Sequence, residues 1–504
     1  MEVVRHLEPN NKRYIIIFAC IALLITIYFY WGSFNVGLFC DDLGMQSFAM
    51  EKVETGSLYA WEGRSFKFRP VRDTIFVWNA ALFGYDTWLL RALSFISHFS
   101  VVILTALLAY RLTANKSISY TAGFIFLFMP ANAAAMYGND CFQDPLYMAL
   151  GFILLLFILP KYKVRLNRAN KYAMLLKLLF VFLLAFFMLL VKETSISFIP
   201  LSVLIVCLTK NYFENRRSKI YAFSLILLLS LAVCLYFYLR SQTSANMGEP
   251  YSRYSLSIGK NVVVNYFKIF FAVCIPTASP HVFAALKNLN FSNLIFLSFT
   301  GICAVLVAIT ALMGAVSLWR RGVKKNVVFL VVGMFLLVGP VTLLQKVSDL
   351  YPYCITPLFA ILLGAGLYVL FEKTKDKGLQ LLLVAGCGIV LVTSIHAMNI
   401  KKQYHIRNGN IVRSIDEAVK TVVMKYGRDK KIAVGMTTPD PVFYSTYLFK
   451  ELYGMYRTTL TVSRFGLESD NLKLISNDGF DPDITLLWDN GKVKTIFNDN
   501  NNAR

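Results

Sequence analysis

The sequence predicts an all-α polytopic membrane protein of about 11 transmembrane helices, with a large first outer loop and a small C-terminal α/β extracytoplasmic domain. Three observations predict it. Of 504 residues, 57% are apolar and 16% charged, whereas an ordinary soluble domain is about 45–50% apolar and about 25% charged. The apolar residues fall in runs close to the length that crosses a bilayer as a helix. Lys and Arg gather in the short connections 161–171, 210–219, 320–325 and 373–377, the bias of cytoplasmic loops. This composition excludes a plain cytosolic enzyme, a disordered chain and a disulfide-stapled secreted module. The net charge of +22 is accounted for by those loops. No zinc-finger, helix-turn-helix or RNA-binding signature accompanies it, so nucleic acid is not an expected partner.

The loop charges orient each span in turn. Arg5, Lys12 and Arg13 hold the N-terminus inside, and the run 14–33 is a retained first helix that leads outside to a loop reaching about residue 87. The run 88–110 returns to Arg111 and Lys116, 118–130 goes out, and 146–160 comes back to the basic loop 161–171. The runs 173–191 and 195–209 form an outward hairpin tipped by Lys192-Glu193, and 220–239 exits at Arg240. Residues 262–276 are apolar but short and carry Asn265 and Lys268, which reads as a re-entrant or interfacial helix. The runs 293–318, 326–345, 354–371 and 379–397 complete the crossings and leave the C-terminus outside. The chain thus divides into 1–400, transmembrane, and 401–504, a small extracytoplasmic domain. In the latter, 413–426 and 442–453 have helical periodicity, 431–436 and 458–462 read as strands, and 484–496 reads as a hairpin around Asn490-Gly491. The nine cysteines show no Cys-x-x-Cys spacing. Cys40 and Cys141 fall near one expected face, where a disulfide between them is one option.

Ionisable residues in or beside spans are costly and tend to be functional. Five places qualify, all on the expected outer face. Asp41 and Asp42 follow the first span; a carboxylate there acts as a general base, binds a divalent cation, or caps the helix 43–53. Arg64, Lys67, Arg69 and Arg72 are either an anion site or a face for lipid headgroups. Asp140 and Asp144 lie in 130–144, a polar outer turn or part of a site. Lys192 and Glu193 are either an ion pair within their hairpin or part of a site. The segment 346–353 holds Lys346 and Tyr351 with Arg240 nearby in topology, an aromatic belt or a further anion contact. His98 stands seven residues after Arg91 on one helix and reads as a helix-bridging hydrogen bonder or a ligand. No His/Cys zinc signature and no nucleotide-binding glycine fingerprint is present.

The order of these pieces carries a resemblance. Asp41-Asp42 is followed by Phe68-Arg69-Pro70-Val71, by Leu82-Phe83-Gly84, by the Arg91…His98 helix, by Pro130…Asp144 and by Lys192-Glu193-Thr194. This series resembles the GT-C superfamily of integral-membrane glycosyltransferases, and most nearly the polyprenol-phosphate-mannose-type protein O-mannosyltransferases and their bacterial relatives. The likeness covers about 35–200 and is looser at Arg240 and 348–351. A glutamate usual after the proline of the third motif is Ala134 here, and 401–504 carries no likeness. The resemblance implies transfer of a sugar from a polyprenyl-phosphate carrier to an acceptor hydroxyl on a glycan, lipid or protein, with inversion, outside the membrane. It implies Asp42 or Asp41 as the base, and Arg69, Arg72, Lys192, Arg240 and Lys346 as donor-phosphate ligands. Asp144, Asp140, Glu193, Tyr351 and His98 would bind sugar or acceptor. Any divalent cation would sit on Asp42 and Asp144, and no other cofactor is expected. The expected location is a bacterial cytoplasmic membrane. Three other functions fit the same architecture: a flippase for a lipid-linked saccharide, a ligase or polymerase using a pyrophosphate-linked donor, and a non-enzymatic assembly protein. Internal repeats expected of a transporter are not seen, and carboxylates rather than Arg and His dominate the outer face.

Overall fold

In hydrocarbon a chain satisfies its N–H and C=O groups within itself, and the α-helix does so segment by segment. The computed structural model describes residues 9–34, 36–38, 41–62, 67–159, 171–243, 256–345, 347–436, 472–474, 482–489 and 492–497. Its α-helices in chain order are α1 Pro9–Tyr30, α2 Asp41–Glu54, α3 Pro70–Phe83, α4 Trp88–Thr113, α5 Lys116–Phe128, α6 Ala133–Tyr137, α7 Gln143–Ile158 and α8 Lys171–Val191. They continue as α9 Phe198–Leu208, α10 Arg216–Ser241, α11 Lys260–Cys274, α12 Ser279–Lys287, α13 Phe291–Arg320, α14 Lys324–Thr342, α15 Thr356–Lys373 and α16 Lys377–Tyr426. Among the described residues nine helices are long and apolar enough to cross a membrane, or up to eleven if each of two bent pairs is one span. The chain is an integral membrane protein.

Proline sets both bends. Met129, held extended by the ring of Pro130, ends α5, and the chain turns 57° into a 3-10 turn and α6. Pro276 follows α11, Pro280 opens α12, and the two helices meet at 109°. That angle is one of a broken span or a re-entrant loop, and the run 262–276 lies on its first arm. One expected span is shorter than its hydropathy suggested. The run 195–209 gives the 3-10 turn Glu193–Ser197 and then α9, 11 residues long. At about 1.5 Å per residue that helix alone does not cross hydrocarbon about 30 Å thick. Side-chain ties from Lys192 and Glu193 to other segments, given below, hold this entry as a tight turn.

The buried core runs through α4, α5, α7, α8, α9, α14 and α15, with Leu108, Phe126, Phe152, Val181, Leu201, Leu330 and Leu358 among its fully enclosed side chains. Small residues let α13 and α15 touch along their backbones. A Cβ on Gly366 would lie 1.9 Å from the Thr310 carbonyl oxygen, and one on Gly314 2.0 Å from that of Leu362.

α16 is a single helix of 50 residues, about 75 Å at the usual rise, and it passes through residue 400 without a break. Its far end packs Ile411, Ile415, Val419 and Val422 on Ile432, Val434, Ile484 and Leu486 of a sheet. The strands are β1 Ile432–Met436, β2 Leu472–Leu474, β3 Ile484–Asp489 and β4 Lys492–Phe497, in the order β2-β1-β3-β4. β1 is parallel to β2 and β3, and β3 pairs antiparallel with β4 from Asp489↔Lys492 to Ile484↔Phe497. The helix 413–426, the strand 431–436 and the hairpin 484–496 correspond to the end of α16, to β1 and to β3–β4. β2 adds a parallel strand that the pattern had not suggested. The expected helix 442–453 and strand 458–462 lie outside the described residues, as do Arg64, Lys346 and Cys40.

Candidate active site

Helix α2 begins one residue before Asp42, and its first turn points that carboxylate inward. Asp42 is 2% exposed. Its Oδ2 accepts from Asn139 Nδ2 at 2.7 Å and its Oδ1 from the Asp140 backbone N–H at 2.8 Å. Burial pushes its pKa well above the usual carboxylate value, and the nearby Asp140 carboxylate pushes the same way; the Asn139 bond, Arg91 and the Asp140 N–H offset part of this. The Asp41 side chain lies outside the described residues.

From Asp42 a line of hydrogen bonds runs onward. The Asp140 carbonyl accepts from Gln143 Nε2 at 2.9 Å, and Gln143 Oε1 accepts from Arg69 at 3.1 Å. Arg69 stands just before Pro70, the first residue of α3, and its guanidinium forks onto Glu193: Nε donates to Oε2 at 2.5 Å, and a second nitrogen donates to Oε1. Burial works against the Arg69 charge, but Glu193 overrides it and raises the pKa; the reciprocal effect, again against burial, holds Glu193 well below the usual carboxylate range. Their sequence neighbours, Lys192 before Glu193 and Asp144 after Gln143, pair as well. Lys192 Nζ donates to both oxygens of Asp144, at 2.6 and 2.8 Å, with the two side chains 4% and 3% exposed. The Lys192 ammonium also stands 5.8 Å from the Tyr147 ring centre and 5.9 Å from that of Tyr351.

This arrangement changes the expected pairing at the hairpin tip. Lys192 and Glu193 do not form an ion pair with each other; Asp144 takes the first and Arg69 the second, because Lys192 stands extended just before the 3-10 turn that Glu193 opens, and the change of backbone sends their side chains different ways. Arg72 is likewise held, its guanidinium 2.6 Å from Asp73 Oδ1 in a buried pair. Arg240 lies one turn after Tyr236 on α10, and the Tyr236 hydroxyl donates to the Phe68 carbonyl at 3.2 Å, beside Arg69. His98 is fully buried, its Nδ1 3.0 Å from the Tyr353 hydroxyl, and so bridges α4 to the 3-10 turn before α15. The Cys141 thiol donates to Asp140 Oδ1 at 3.1 Å. Asp349 of the 346–353 segment pairs with Lys401 of α16 at 2.7 Å.

Two groups that the sequence reading left unassigned are central. Arg91 of α4 is fully buried and donates to the carbonyls of Met136, at 3.1 Å, and Tyr137. It thereby clamps the C-terminal end of α6, from which Asn139 and Asp140 hang. An arginine inside an apolar run was itself the signal that could have found it. Asn139 joins Asp42 to the Gly37 carbonyl, 3.2 Å away, and carries no pattern that sets it apart from an ordinary loop residue.

No family model matches the chain, and no curated protein does. Among solved structures it is similar to ArnT from Cupriavidus metallidurans bound to undecaprenyl phosphate, with 13% identity and a TM-score of 0.47 over 94% of this chain and 93% of that one. It is also similar to the archaeal oligosaccharyltransferase AglB from Archaeoglobus fulgidus in complex with an inhibitory peptide and a dolichol-phosphate, with 11% identity and a TM-score of 0.47, over 89% of this chain and 64% of that one.

Proposed function

We propose that this protein is a glycosyltransferase that moves a sugar from a polyprenyl-phosphate donor to an acceptor hydroxyl, with inversion and with Asp42 as general base. One observation carries the reading: the unbroken line from Asp42 through Asp140, Gln143 and Arg69 to Glu193, flanked by the Lys192–Asp144 pair. It joins a buried carboxylate to two buried cations through groups of four distant segments, which are four of the six pieces whose order resembles GT-C enzymes. A base for a hydroxyl and cations for a leaving phosphate are what such a transfer needs. The site is read as extracytoplasmic, in a bacterial cytoplasmic membrane, with 1–400 as the catalytic unit and 401–504 as an accessory domain outside.

In the reaction the acceptor oxygen attacks the anomeric carbon while its proton passes to Asp42. The bond from that carbon to the phosphate oxygen breaks, and its electron pair leaves on the polyprenyl phosphate. Arg69 has five N–H donors, of which three are engaged with Glu193 and Gln143, and Lys192 has a third N–H beyond the two facing Asp144. These remaining donors, with Arg72 and Arg240, receive the growing phosphate charge; Lys346 is kept as a further ligand. Glu193 and Asp144 fix the cations; Asp140, Tyr351 and His98 are assigned to the sugar and acceptor side, and Asp41 remains the second candidate base. A lipid tail buried between helices supplies binding energy that positions the reacting carbon.

A divalent cation on Asp42 and Asp144 does not fit these side chains. Both Asp144 oxygens face the Lys192 ammonium, and among the described residues no three His, Cys, Asp or Glu side chains converge. Every step above therefore uses the chain's own groups.

The test is transfer from a panel of radiolabelled polyprenyl-phosphate sugars by the purified protein in liposomes, comparing wild type with Asp42→Asn and Asp41→Asn. Loss in Asp42→Asn with donor binding kept supports the mechanism. Full activity in both variants and in the double variant rules it out, and lipid translocation without transfer would favour the flippase.

A further inference from the structure

The catalytic reading gives no task to the part of α16 that continues past residue 400. Yet one face of that helix lies against the segment leading into Asp42. Gly37 and Gly409 meet backbone to backbone: a Cβ on Gly409 would stand 2.5 Å from the Gly37 nitrogen and 2.7 Å from its carbonyl oxygen, and a Cβ on Gly37 2.5 Å from the Gly409 oxygen. No other residue type fits either position without displacing main chain. The contact continues along the same face of α16. Three residues on, Val412 packs against buried Leu38, and four residues back, His405 stacks near Tyr137 of α6 with ring centres 6.3 Å apart. Thr87 holds the segment from its other side, its hydroxyl donating to the Val36 carbonyl at 2.9 Å.

Gly37 is in turn tied to the carboxylate. The Asn139 amide that donates to the Gly37 carbonyl at 3.2 Å also donates to Asp42 Oδ2 at 2.7 Å. Gly409 thus sets Gly37, and Gly37 and Asn139 together set Asp42. We propose that α16 is a positioning element of the active site, acting on Asp42 through the Gly409–Gly37 contact and the bridging Asn139 amide. The sheet packs on the same helix from Ile411 to Val422, so the C-terminal domain stiffens the element that seats the base. This inference rests on the glycosyltransferase reading of the site.

The experiment compares Gly409→Ala, Gly37→Ala and Val412→Ala with Gly386→Ala, whose added methyl on the same helix meets open space. Two readouts are taken on full-length protein in detergent: transfer kinetics, and backbone hydrogen exchange of a peptide spanning 36–42. Misplacing a catalytic group by about 1 Å costs on the order of 10²-fold in rate. The expected result is a fall in kcat of that order for both glycine variants with the donor KM kept, faster exchange in 36–42, and a smaller fall of the same kind for Val412→Ala. Gly386→Ala behaves as wild type. Because the two glycines form one contact, the double variant is no worse than either single one. Should either glycine variant not accumulate, Val412→Ala, which removes packing without a clash, carries the comparison. Unchanged kcat in all three variants overturns the proposal, as does equal loss in Gly386→Ala, or faster exchange without any loss of kcat. If wild type transfers no sugar from any donor, the glycosyltransferase reading falls; faster exchange in Gly409→Ala but not Gly386→Ala then still supports the mechanical link, and equal exchange overturns it.

Discussion

Asp42 is asked to be an anion in a place that disfavours anions. Its raised pKa means that its contribution to stability is full below the ordinary carboxylate value and is lost as pH climbs through the raised one. The same climb creates the base. Activity and this residue's stability contribution therefore run in opposite directions with pH. The expected kcat profile has an acid limb centred above the range of an exposed aspartate, measured by transfer at saturating donor; a limb near pH 4 or below would count against Asp42. Replacing it by asparagine is expected to lower kcat about 10²- to 10⁴-fold, the usual worth of a general base. Lys192 and Asp144 make a different kind of prediction. Asp144→Ala leaves an ammonium buried without its counter-ion, a loss of about 3–5 kcal/mol, to be read as a lower unfolding temperature in detergent. The double variant Asp144→Ala, Lys192→Met is expected to recover part of it, and no recovery would mean that the pair matters less than its surroundings. The sequence made these carboxylates and cations visible because ionisable groups stand out against apolar runs. It could not say who pairs with whom: Lys192 meets a residue 48 positions away and Arg69 one 124 positions away, whereas adjacency in the chain offered Lys192 and Glu193 as each other's partners.

At the scale of elements, hydropathy located the helices well where they are long and missed geometry where proline intervenes. The bend after α5 comes from a backbone constraint and the shortness of α9 from side-chain ties, neither of which an apolar average registers; the bend after α11 falls where the run 262–276 already read as re-entrant or interfacial. The break at Pro130 is also what makes the site, since it frees 133–144 to fold as short turns that carry Asn139, Asp140 and Gln143 to Asp42 and Arg69. Arg91 fastens that stretch from α4. Arg91→Met is expected to reduce kcat while leaving the donor KM little changed; a raised KM with normal kcat would instead mean that Arg91 contacts the donor. The α13–α15 contact is a separate matter of packing. Gly366→Ala drives a methyl into the Thr310 carbonyl and is expected to cost about 1–3 kcal/mol, measured as thermal unfolding. A wild-type melting curve would show that the helices have room to separate.

For the molecule as a whole, loop charge predicts which end lies where. A cysteine placed at exposed Lys431, beyond α16, is expected to react with an impermeant maleimide added outside intact cells, and one at Lys116 only after permeabilisation. The reverse pattern would invert the site. What no hydropathy profile could reveal is that α16 touches the segment 36–38 that precedes Asp42, because a glycine-to-glycine contact has no side chain to announce it. The pairing of the site also shapes what it will ignore. Arg69, Arg72 and Lys192 are each matched by a carboxylate of this chain, so from a distance their fields cancel and small anions are not drawn in. Orthophosphate, which would clog a pocket of bare arginines, meets only the few N–H donors that these pairs leave over and gains nothing else there. A lipid phosphate brings the burial of its tail to the same few donors. On the proposed reading, discrimination between cargo and debris then comes from hydrocarbon rather than from charge, and excess orthophosphate is expected to leave the transfer rate unchanged.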